Sequence, residues 1–315
     1  MTPRAGGGFA LGAALAVANT LIGAMQPVLL RYGAMRIDPL VFSAAGVIVA
    51  GICALPVLLM RGEMRILADR RYAPRLVLVS MAGTVATTLC LIYGLRRINA
   101  ITGVLLLQTE PIYSILLATM FAGERPSPRQ LLATATIIAG VSGVVGGGAF
   151  EASFATLLLL MTPLFWQISH VIALPIMPPL APGSVASARY IFAAIAMAAM
   201  LPFAAPEALR QAAEPGPLAV ILVTGLVIDD LTASFTWYGA ISRLSLAWTT
   251  ALVVPGIPIL SILFAVAFLG EIATVRQLIG IAIAVSGVLA LVLGADPHRK
   301  HPAAETLEAV HQPLS

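Results

Sequence analysis

Charge is scarce in this sequence. Only 10% of the 315 residues are Asp, Glu, Lys or Arg, where a soluble domain carries roughly 25%. Lysine is nearly absent: Lys300 is the single one, and arginine supplies the remaining basic residues. Cysteine is limited to Cys53 and Cys90, both inside apolar runs, so neither a disulfide framework nor a cysteine metal site is expected. No P-loop, no His-Glu-x-x-His pair and no serine-protease constellation occurs, which argues against direct ATP use and against hydrolytic chemistry. What the chain has in abundance is apolar residues, at 59% with a mean hydropathy of +0.98. Such a chain cannot cover its own surface in water, and a bilayer is the solvent that suits it. The formal charge of +4 therefore reads as membrane orientation rather than nucleic-acid binding.

Arg, Pro, Gly and acidic residues punctuate the apolar runs into ten segments, near 9–30, 39–60, 75–95, 100–121, 127–147, 153–174, 184–203, 217–238, 245–269 and 274–294. Helix is the expected state of each, because backbone groups in lipid must bond within their own segment. Arg4 before an apolar run has the look of a signal peptide. The run from Phe9 to Leu30 is too long for one, so it reads as the first membrane helix. The fold class expected is an all-α integral membrane protein. Arginines cluster in the connection holding Arg61, Arg65, Arg70, Arg71 and Arg75, which puts that connection and both termini in the cytoplasm of a bacterial inner-membrane protein. Arg189, near the start of the seventh segment, is expected to snorkel to the cytoplasmic interface. Residues 295–315 are polar and proline-bearing, and read as a disordered cytoplasmic tail.

Two stretches repeat at a spacing of 147 residues. Pro111 to Glu124 and Pro258 to Glu271 agree at nine of fourteen positions, including the proline, a serine and the closing Gly-Glu. Arg129-Gln130 matches Arg276-Gln277, and Gly140-Val141 matches Gly287-Val288. The spacing covers five segments. Five is odd, so the halves 1–148 and 149–294 are expected to lie in the membrane with opposite topology, a recurring plan for secondary transporters. Ten helices in two inverted five-helix repeats, with a Pro…Gly-Glu segment ending the fourth and ninth, resemble the EamA-type exporters of the drug/metabolite transporter superfamily. The resemblance spans about Phe9 to Gly294. It implies a helix bundle with a central cavity and export of metabolites, amino acids or drugs. The small multidrug-resistance branch carries an acid in its first helix. This chain has Asn19 there, so that coupling residue does not transfer.

Polar residues inside apolar runs are the informative ones, because an ionised group at the bilayer centre costs about 2.5–3.5 kcal/mol on insertion scales. Glu110 lies mid-helix beside Gln108 and Pro111. Its repeat partner is Ile257, so the acid is not a scaffold element shared by both halves. It reads as a proton- or cation-responsive group on the pathway, or as a hydrogen-bonded helix tie. Asp229 and Asp230 lie in the eighth segment and point about 100° apart, so one of them is expected to face the cavity. Trp166 and His170 share a helical face with Thr162 and are candidates to hold a planar or cationic solute. Asn19, Gly23 and Gln26 share a face of the first helix. Tyr93 and Trp237 are further candidates, with an aromatic belt as the alternative. Pro255-Gly256-Ile257-Pro258 is expected to bend or break the ninth helix, and Pro111 to kink the fourth at the matching place. Glu124 and Glu271 read as structural, pairing Arg129 and Arg276. Gly143 and Gly147 form a small-xxx-small step suited to tight packing.

The function expected is secondary transport by alternating access, with export of an amino acid or an aromatic or cationic metabolite. The acidic midplane favours neutral, zwitterionic or cationic solutes. Protons are the candidate coupling ion, no cofactor, metal or nucleic acid is expected, and the assembly is a monomer or homodimer. An uncoupled facilitator or importer is the alternative within the class. An intramembrane lipid-modifying enzyme is the alternative outside it, suggested only by Asp229-Asp230 and by Pro182-Gly183-Ser184 with Arg189.

Overall fold

The computed structural model describes residues 7–122, 126–145, 154–176, 179–228, 236, 240 and 246–293. Every regular element among them is helical. The helices are α1 (Gly7–Arg36), α2 (Pro39–Arg61), α3 (Ala73–Ser80), α4 (Thr87–Arg97), α5 (Ala100–Leu107), α6 (Glu110–Ala122), α7 (Pro128–Val145), α8 (Phe154–Ala173), α9 (Pro182–Met200), α10 (Pro206–Ala212), α11 (Pro215–Val223), α12 (Leu246–Leu269) and α13 (Val275–Leu293). A π-helical turn, Met81–Ala86, joins α3 to α4, and another, Thr224–Ile228, follows α11.

Among the described residues, six segments are long and apolar enough to cross a membrane: Phe9–Arg36, Pro39–Arg61, Ala73–Arg97, Ala100–Phe121, Phe154–Ile176 and Gly183–Phe203. Shorter apolar helices cover Pro215–Leu226, Gly256–Leu269 and Val275–Leu291. The tail 295–315 lies outside the described residues.

Local sequence explains the boundaries. Pro39 opens α2, where the Asp38 carboxylate accepts hydrogen bonds from the amides of Leu40 and Val41 at 3.0 and 3.1 Å. The Asn99 side chain does the same for α5 through the Thr102 amide at 2.8 Å. Ser127 and Gln130 form a capping box at the start of α7, and Thr274 and Gln277 form its counterpart at α13. Gly270 ends α12 at φ +66°, a backbone state that side chains rarely adopt.

Packing follows small residues. The most extensive contacts are α2 with α9, α7 with α13, and α1 with α12. At the α7–α13 crossing, a Cβ on Gly140 would lie 2.6 Å from the Gly280 carbonyl oxygen, and one on Gly287 would lie 2.8 Å from that of Ala133. Gly51 likewise lets α2 approach the Tyr190 carbonyl and Ala194 of α9. A Cβ on Gly143, by contrast, would meet nothing within 4 Å, and Gly147 lies outside the described residues.

Two expectations need correction. Of the bend or break expected at Pro255, Gly256 and Pro258, the break does not occur: α12 runs as one α-helix from Leu246 to Leu269. Its neighbours hold it there, with Gly256 pressed against the Thr20 side chain and the Ser261 hydroxyl donating to the Ala24 carbonyl at 2.9 Å. The break falls instead in the fourth segment, between α5 and α6. Pro111 has no N–H for the Leu107 carbonyl, and the chain turns there. The amides of Gln108 and Thr109 reach back only three residues, to Leu105 and Leu106. Glu271 does not pair Arg276. It sits 3.6 Å from Arg31 and accepts from the amides of Ala100 and Ile101 at 2.8 and 3.2 Å, capping α5. Arg276 donates to the Gly143 carbonyl. Glu124 lies outside the described residues.

Candidate functional site

A cavity of about 60 Å³ lies among α1, α2, α4, α8, α9 and the two π-helical turns. Gln26, Ser43, Thr84, Thr87, Trp166 and Arg189 line it, together with Tyr190 and Thr224. The Arg189 guanidinium stands 4.9 Å from the Tyr190 ring centre and donates to its hydroxyl at 3.2 Å. Arg189 thus turns inward to the cavity instead of snorkelling to the interface. Gly83 lies beside it: the close approach this glycine permits is that of the Ser169 hydroxyl, 2.2 Å from where a Cβ would stand, while Arg189 Cδ lies at an ordinary contact distance of 3.7 Å. Sequence reasoning missed Arg189 as a cavity residue. The available signal was an arginine inside an apolar run.

A second, larger opening of about 320 Å³ surrounds Glu110, Pro111, Ser114, Ile115, Gln130, Gln167 and Leu291. Glu110 is the first residue of α6, so the α5–α6 break puts its carboxylate at a helix N-terminus inside the span. Gln167 of α8 donates to it at 2.9 Å. A carboxylate with one side-chain donor and an adjacent opening is suited to exchange a proton or hold a cation. Gln167 was not singled out from sequence, because a lone amide in an apolar run carries no distinctive signal.

The remaining candidates separate. Asn19 is buried and donates to the Thr236 hydroxyl at 2.9 Å, tying α1 to the segment after α11. Gly23 rests against Ile257, and Gln26 reaches the central cavity. Trp166 lines that cavity, whereas His170, one turn further along α8, is exposed. Tyr93 is 40% exposed and lines neither opening. Gln108 occupies the α5–α6 turn. Asp229, Asp230 and Trp237 lie outside the described residues, as do the side-chain surroundings of Pro255.

A probable terminal-alkyne amino-acid exporter of Streptantibioticus cattleyicolor is 26% identical over 223 residues, covering 70% of this chain and 73% of that protein. A crystal structure of another protein aligns with a TM-score of 0.62 at 17% identity, over 90% of this chain and 96% of that one, which shows a shared fold. The EamA-like transporter family matches twice, at residues 10–146 and 153–293. Each match takes in one copy of the Pro…Gly-Glu segment, and with both halves of its length accounted for in this way the chain belongs to the EamA-like transporter family.

Proposed function

We propose that this protein is a ten-helix secondary exporter of the bacterial inner membrane, moving a small organic solute by alternating access between two inverted five-helix halves, 1–148 and 149–294. Both termini lie in the cytoplasm, and Glu110 is the proton-responsive group. Amino acids are the leading solute class, in keeping with the name of the Streptantibioticus relative.

The observation that carries this reading is a reciprocal register with unequal packing. Gly140 meets Gly280 and Ala284, while Gly287 meets Ala133 and Ile137. Adding 147 to the numbers of one half of each contact gives the other, as a two-fold axis through the α7–α13 crossing requires. Elsewhere the same register joins unlike surroundings. Ser261 is 1% exposed and bonded to α1, whereas its counterpart Ser114 is exposed beside the Glu110 opening. One side of the bundle is closed and its counterpart is open, and exchanging the two packings would exchange the side of access. Glu110 stands at that open counterpart, where an acid in one half alone supplies a group for coupling.

The test is a solute screen on purified protein in liposomes, reading proton movement with a pH-sensitive dye for wild type and Glu110→Gln. Proton movement driven by a solute in wild type and absent from Glu110→Gln supports coupled transport through Glu110. Equal solute flux in both, with no proton movement, would sink the coupling role and leave a facilitator.

A further inference from the structure

The central cavity has a charge and hydrogen-bonding pattern that the transport reading does not use. Among the described residues that line it, Arg189 is the one that carries a charge. A guanidinium offers only donors, in a fork that matches a carboxylate. Three of the hydroxyls around it are committed the other way. Ser43 donates to the Pro39 carbonyl at 2.6 Å, Thr87 to Gly83 at 2.8 Å and Thr224 to Val220 at 2.7 Å. Each proton is engaged on its own helix, so what these oxygens have left for the cavity is lone pairs. Donors and acceptors therefore meet in one space. Thr87 and Arg189 come together at Gly83, whose carbonyl accepts from the first and where a Cβ would stand 3.7 Å from the Cδ of the second. Thr84, 3% exposed, lines the same wall, and its hydroxyl has no hydrogen-bond partner among the described residues. A buried hydroxyl left without a partner costs about 1–3 kcal/mol, which a bound polar group would recover.

We propose that this cavity binds the zwitterionic head of an α-amino acid, with Arg189 taking the carboxylate and the oxygens of Ser43, Thr87 and Thr224 taking the ammonium. The inference rests on the export reading above and names the head group that the site selects. The volume of about 60 Å³ fits it: at 10–15 Å³ per water such a space holds roughly four to six waters, comparable to the few heavy atoms of an amino-acid head. Trp166 and Leu91 supply apolar wall for the beginning of a side chain.

The experiment uses three solutes differing only at the head: L-propargylglycine, its carboxamide, and pent-4-ynoic acid. Each is loaded into liposomes holding the full chain, and efflux is read by coupling the alkyne to a fluorophore. Radiolabelled choline and a radiolabelled neutral aromatic amide, read by scintillation counting, are run as solutes without a carboxylate. Wild type is expected to move propargylglycine at least about tenfold faster than either relative, a charged hydrogen bond being worth roughly 10- to 100-fold. Arg189→Gln is expected to bring propargylglycine down to the rate of the carboxamide, and Arg189→Lys to restore part of the difference. Thr87→Val is expected to slow propargylglycine and leave pent-4-ynoic acid unchanged. A wild type that moves carboxamide and acid equally overturns the site, as does a monodisperse Arg189→Gln that keeps the wild-type ratio. Movement of choline or the amide without propargylglycine overturns the site and leaves the exporter reading standing. Movement of none of the five overturns both.

Discussion

Glu271 and Arg31 lie 3.6 Å apart with side chains 11% and 14% exposed, and the same carboxylate caps α5 through two backbone amides. One acid therefore ties together α1, α5 and the end of α12. Arg31 extends the tie by donating to the Leu95 carbonyl of α4. Removing one partner of such a pair strands the other charge and costs about 3–5 kcal/mol, whereas replacing both by apolar residues is often near neutral. Glu271→Ala is expected to lower the thermal midpoint in detergent by several degrees. Arg31→Met with Glu271→Met is expected to recover most of that loss except the part due to the vacated cap. A double variant as unstable as the sum of the two singles would refute the pairing.

The α7–α13 crossing makes a sharper steric prediction. A side chain at Gly140 or Gly287 must displace backbone atoms 2.6 to 2.8 Å away. Gly140→Leu and Gly287→Leu are each expected to destabilise by about 1–3 kcal/mol or more. Gly143→Ala, into open space, is expected to be neutral or mildly stabilising. Fluorescence-detected unfolding of the three variants compares them. Equal midpoints would show that the crossing is looser than its geometry.

The break between α5 and α6 rests on a missing donor. Pro111→Ala restores an N–H to the Leu107 carbonyl and removes the ring that opposes a continuous helix. Amide exchange at positions 107 to 112 is expected to slow, and solute flux to fall if the turn works as a hinge. Unchanged exchange would mean that Gln108 and Thr109 hold the turn without the proline.

The two serines offer a test of access. Ser261→Ala removes a bond to α1 on the side proposed to be closed, while Ser114→Ala removes a group with no such bond among the described residues. Single cysteines placed beside each, in a chain lacking Cys53 and Cys90, report labelling from the two faces of a liposome. Ser261→Ala is expected to raise labelling on its own side, and Ser114→Ala to leave that side unchanged. The reverse pattern would refute the assignment of closed and open counterparts.

The helical, membrane-crossing character of the chain and its repeat were legible because both are written locally. Apolar runs announce helices in lipid, and Pro…Gly-Glu recurs in a form that survives divergence. Gln26, Trp166 and Glu110 could be singled out for the same reason, each being polar or aromatic where the neighbours are aliphatic. What could not be read was which groups meet. Arg189 near a helix start looked like an interface residue, and only the packing of α9 against the other helices shows that it lines the cavity. Gln167 became significant only when α8 set it against Glu110. Pro258 looked more disruptive than Pro111, yet α12 stays whole because α1 packs along it while the chain beside Pro111 faces an opening.

Glu110 and Ile257 stand at matched places in the two copies of the Pro…Gly-Glu segment. Had the molecule been assembled from two identical half-length chains, an acid at this place would have appeared twice, once on each side of the axis. Carrying both copies on one polypeptide frees each to change without its twin. The result is a pair of copies alike in pattern and unlike in chemistry at this place, where one carries an acid and the other an isoleucine.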